Sequence, residues 1–126
     1  MLQFLARVIT ESVSASFKSK QFVGHIGGDD FVVITDSYDV KAACDLILST
    51  FSKGINDFYS SEHVKNKYIT AKNRFGQEEQ YSLVTLSIAC ISNKNRTFND
   101  IYELSEHASM MKKKCKQIWN NCCLFD

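Results

Sequence analysis

The tightest constraint on this chain is a pair of β-prone runs set around a turn that needs glycine. Gln21-Phe22-Val23-Gly24-His25-Ile26 and Phe31-Val32-Val33-Ile34-Thr35 flank Gly27-Gly28-Asp29-Asp30. Glycine supplies the positive φ of a tight hairpin, so the segment predicts two antiparallel strands. The second run is continuously apolar, which predicts a strand covered on both faces by helices.

The rest of the chain alternates between helical and extended patterns. Leu2, Leu5, Ile9 and Val13 recur at helical spacing over residues 1–13, and Val40, Ala43, Cys44, Ile47 and Phe51 do so in a second helix ending near Gly54. Residues 57–67 read as a loop. Tyr68-Ile69-Thr70-Ala71 and residues 81–91 read as strands flanking Asn73-Arg74-Phe75-Gly76, with Leu83 to Ile91 the best core strand. Thr97 is placed to open a last helix, with Asp100 three residues on in a capping box. Its apolar stripe is Phe98, Ile101, Leu104, Ala108, Met111, Cys115 and Ile118. Cys122 to Phe125 add an edge strand. The order α-β-β-α-β-β-α-β, without repeats or a low-complexity linker, predicts one α+β domain over residues 1–126: a mainly antiparallel central sheet flanked by helices.

Composition narrows the function. The 15 Lys and Arg against 14 Asp and Glu give a net charge of +1, which argues against a nucleic-acid wrapper or a polybasic membrane binder. The run Lys112-Lys113-Lys114-Cys115-Lys116 reads as a solvated helix face. No apolar run approaches the roughly 20 residues of a membrane span. The five cysteines include the adjacent Cys122 and Cys123, form no C-x-x-C pair and follow no signal-peptide pattern. They read as small apolar side chains in a reducing cytoplasm, and zinc is poorly supported because His25, His63 and His107 stand far apart in sequence.

Chemistry concentrates at the turn. Two glycines let backbone approach a ligand, and the adjacent carboxylates of Asp29 and Asp30 can offer oxygen ligands to Mg²⁺. Taken alone, the same residues also suit an ordinary solvated turn. The stretch from Phe22 to Ile34 resembles the GGDEF-motif hairpin of diguanylate cyclases. Val84-Thr85-Leu86-Ser87-Ile88-Ala89 resembles that family's V-T-x-S-I-G strand, and Cys115-Lys116-Gln117-Ile118-Trp119-Asn120-Asn121 a worn A-K-x-x-G-R-N ending. Gly-His-Ile-Gly-Gly-Asp-Asp-Phe over residues 24–31 is similar to the degenerate GGDEF domains attached to EAL phosphodiesterases.

The resemblance implies a palm-type nucleotide cyclase fold and a two-metal joining of two GTP into cyclic di-GMP. Gly27 and Gly28 would lie against the nucleotide, Asp29 would hold the metal, Asp30 would replace the usual glutamate, and Lys116 would steady phosphates. It further implies GTP or cyclic di-GMP as ligand, Mg²⁺ only with bound nucleotide, a homo-oligomer, and an attached EAL phosphodiesterase domain in a parent protein.

The departures are as informative. The family's first strand carries a second metal-binding aspartate, and here residues 1–5 already resemble the helix that follows it, so the domain reads as lacking that strand. Asn120 replaces a phosphate-binding arginine, and the inhibitory R-x-x-D becomes Lys18-Ser19-Lys20-Gln21. The expectation is a catalytically inactive nucleotide-sensing or regulatory module. The alternatives are an active diguanylate cyclase when an upstream strand is supplied, and a ligand-free dimerisation module.

Overall fold

The computed structural model describes residues 1–118 and 120–126; Trp119, within the worn closing motif, lies outside the described residues. The elements run α1 (Leu2–Ser16), β1 (Gln21–Gly27), β2 (Asp30–Thr35), α2 (Lys41–Ile55), a 3₁₀ turn (Asn56–Phe58), α3 (Ser61–Asn66), β3 (Tyr68–Lys72), β4 (Glu78–Ser82), β5 (Ser87–Cys90), α4 (Ile101–Lys116) and β6 (Cys122–Phe125). The molecule is α+β. No helix among the described residues is long and apolar enough to cross a membrane.

The core is a two-helix layer. Leu5, Val8, Ile9 and Val13 of α1 face Ala43, Ile47, Phe51 and Ile55 of α2, all buried. Spacings of three and four put these residues on one stripe of each helix. Leu2, expected on that stripe, is exposed, and Val8 takes the central place instead. Val23, Phe31 and Val33 of the hairpin and Leu86 and Ile88 of the β5 region pack on the same layer.

The single central sheet expected from the sequence is not formed. Among the described residues three separate two-stranded ladders are present: β1–β2 and β3–β4 antiparallel, and β5–β6 parallel. The expected strand 81–91 is split into β4 and β5 by competition for its backbone. The Val84 N–H donates to Tyr59 Oη at 3.0 Å and the Leu86 N–H to Asn121 Oδ1 at 2.7 Å. Side chains thus take the bonds that a ladder would need.

Other expectations shift for local reasons. Residues 57–67 are not all loop: Ser60 caps α3 by accepting from the His63 N–H at 3.2 Å, and Lys67 closes it with φ 64°. The last helix starts at Ile101, with Asp100 as its cap and Glu103 Oε2 accepting from the Asn99 N–H. Thr97 and Phe98 lie outside it. Of its expected stripe only Met111 and Cys115 are buried, because α4 packs on β5 and β6 through its C-terminal half.

Both faces of β2 are not covered either. Phe22 and Ile34, cross-strand partners, are 58% and 60% exposed, and Ile26 is 73% exposed. The chain's solvent-accessible surface is 9307 Å², against about 6,800 Å² for a compact monomer of this mass. Exposed apolar side chains such as Ile26, Phe75 and Tyr102 contribute to the excess.

Candidate functional site

The hairpin is built as its residues demand. Gly27 pairs with Asp30 across a register shift, Gly27 has φ 148° and Gly28 φ 55°. A side chain at Gly28 would be forced into the left-handed region, which glycine enters freely. A Cβ built at either glycine meets nothing within 4 Å, so the backbone here is open to solvent. His25 braces the turn: its Nε2–H donates to the Gly28 carbonyl at 2.8 Å, and its ring stacks on Phe31 at 4.6 Å between centroids.

The two carboxylates differ sharply. Asp29, at the tip, makes no side-chain hydrogen bond or ion pair among the described residues. Asp30 accepts from Lys112 Nζ at 2.7 Å. That hydrogen bond and the Lys112 charge hold the Asp30 carboxyl below the usual carboxylate range, with a weaker pull from Lys116. Both partners are about two-fifths exposed, so water screens the pair and it orients more than it stabilises.

The structure therefore groups Gly27, Gly28 and Asp30 at the turn with Asp29 at its tip, and brings Lys116 no closer than a weak charge effect on Asp30. It adds Lys112, which the sequence reading had set aside in a solvated face. The available signal was spacing: Lys112 and Lys116 are four apart, so they share one side of α4. Asn121, in the worn closing motif, turns inward and bridges Leu86 N–H to Ser52 Oγ, the latter at 2.8 Å. Gln21, at the worn inhibitory motif, has a buried Oε1 with no protein partner.

Mg²⁺ needs near-octahedral oxygen coordination, commonly from one or two carboxylates plus substrate phosphates. The hairpin offers one free carboxylate and one already tied to a lysine, which does not fit a resident metal, and no metal-dependent step is derived. Two shallow surface hollows lie away from the turn, one lined by Asn56, Tyr59 and Val64, the other by Phe98, His107 and Met110. Open glycine backbone beside the Lys112–Asp30 pair can instead be approached by an anion such as a phosphate. In comparisons with known proteins, no family model, no curated protein and no solved structure matches this chain.

Proposed function

We propose that the chain is a degenerate GGDEF-type module that binds a guanine nucleotide, GTP or cyclic di-GMP, at the hairpin and acts as a sensor without joining GTP itself. The observation that carries this reading is the open Gly27-Gly28 backbone next to Asp30, which Lys112 holds and on which the Lys116 charge acts. Lysines serve phosphates as point charges, and bare glycine backbone lets a nucleotide come close. The engagement of Asp30 by Lys112 argues against catalysis, because the carboxylate at the motif's usual glutamate position is already held by a cation. A palm-type architecture belongs to the same proposal: the hairpin and the β5–β6 pair both lie on the α1–α2 layer.

Titration calorimetry with GTP and with cyclic di-GMP tests the reading. Binding of at least one nucleotide is expected, weakened about tenfold or more in Lys116→Ala, as for loss of one charge-assisted bond. Absence of heat with both, or equal affinity in the variant, overturns it. Formation of cyclic di-GMP from GTP and Mg²⁺ by a longer parent protein would overturn its inactive half.

A second reading, a ligand-free dimerisation module, is favoured by the uncovered strand face of Phe22, Ile26 and Ile34 and by unpaired ladder edges, which invite another chain. A second copy is the expected occupant. Light scattering over a roughly tenfold concentration range should give a mass rising above 14.4 kDa. A constant monomer mass rejects self-association, and Ile34→Lys should push the equilibrium toward monomer.

A further inference from the structure

The cysteines are sorted by the pleat. Cys122 and Cys123 are successive residues of β6, so their side chains leave opposite faces of the strand. Cys122 turns to α4, where it is joined to Cys115 in a disulfide; the reading of all five as thiols is corrected for this pair. Cys123 turns to α2. Its Sγ lies 3.6 Å from Cys90 Sγ on β5, which lies 3.4 Å from Cys44 Sγ on α2. All three sulfurs fall within 4.8 Å of one another, and they are free. Cys44 is buried and the other two half-buried.

We propose that Cys44, Cys90 and Cys123 form a three-sulfur site for one soft, thiophilic cation of the Cu(I) type. Sulfurs bound at about 2.3 Å to a common trigonal metal stand about 4.0 Å apart, a spacing bracketed by the 3.4 Å contact and the 4.8 Å limit. The donor set is sulfur alone, with no imidazole or carboxylate in the group among the described residues. Soft donors select soft cations, and a three-ligand set without a fourth protein donor suits trigonal Cu(I) better than the closed tetrahedron of structural zinc.

The three ligands sit on three elements that pack together, which holds them in place without a metal. The hydrogen bond donated by Cys90 brings the Cys44 thiol down to about 7 and pushes Cys90 up, while burial pushes Cys123 up to about 12. Binding replaces three S–H bonds by three metal–sulfur bonds and releases three protons to solvent, with no change in oxidation state.

Cu(I), supplied without oxygen to the whole chain in competition with a coloured Cu(I) chelator, provides the test. One equivalent should bind, and X-ray absorption should show three sulfurs and no nitrogen or oxygen neighbour. Affinity should fall more than about 100-fold in C123S or C90S, since even supporting residues of metal sites are worth about that much. The double variant C115S/C122S, which removes the opposite face's sulfurs, should keep the wild-type affinity. Circular dichroism of the metal-free variants checks folding, and the wild-type absorption spectrum decides alone if both single variants unfold. Failure to compete with the chelator, fewer than three sulfurs, equal loss in C115S/C122S, or tighter binding of Zn(II) than of Cu(I) would each overturn the site.

Discussion

Replacing Phe51 by alanine is expected to lower the free energy of unfolding by about 3–5 kcal/mol, the range for deleting a buried aromatic. Phe51 is 1% exposed at the centre of the α1–α2 contact. Its ring lies 6.0 Å from that of Phe4, which in turn leans on Phe58 at 5.2 Å. Truncation therefore leaves a void that three elements border, and the packed helices cannot close it without shifting. Since domains of this kind hold only about 5–15 kcal/mol in total, the midpoint should drop by more than about 10 °C. Phe22→Ala makes the same chemical change at an exposed site and should stay within about 0.5 kcal/mol of wild type. Similar melting of the two variants would contradict the assignment of the core.

Asn121→Leu should cost about 1–3 kcal/mol by a different mechanism. Its carboxamide accepts from the Leu86 N–H and donates to Ser52 Oγ, so it ties the approach to β5 to the end of α2. Leucine keeps much of the shape and leaves the Leu86 N–H, part-buried, without its acceptor. Asn121→Asp retains that acceptor and loses only the donor, so urea denaturation should place it between wild type and leucine. If aspartate is as damaging as leucine, the bond to Leu86 is not what holds this segment.

These two residues mark what could and could not be read from sequence. The spacing that buries Phe51 is local, three and four residues along one helix, and for α2 it was legible at Ala43, Cys44, Ile47 and Phe51, while Val40 falls at the cap and Ile55 extends the stripe. The hairpin was legible because its turn demands glycine. The break in the expected strand 81–91 was not, since it depends on Tyr59 and Asn121 reaching in from 25 and 35 residues away. Nor was the open outer face of β2 legible. An apolar run predicts cover, but whether anything covers it depends on where α4 settles, and α4 settles on β5 and β6.

The candidate sites divide in the same way. Gly27, Gly28, Asp29 and Asp30 announce themselves as neighbours, while Lys112 meets Asp30 across 82 residues of chain. The thiol cluster is further from view. Its members are separated by 46 and 33 residues, and no C-x-x-C spacing advertises them. A motif is visible where one turn supplies all its ligands, and here three elements each supply one.

The parallel β5–β6 ladder also orders events in time. The β1–β2 and β3–β4 ladders close across short turns, whereas β6 must find β5 from more than 30 residues away, with α4 between them. Chain closure over such a separation costs more entropy, and distant pairings form late. The helix layer and the two hairpins can therefore assemble first, with β6 docking last. In the native molecule, by contrast, β6 is tied to α4 through Cys115–Cys122, and the exposed β4 should be among the first strands to exchange their amide hydrogens with solvent.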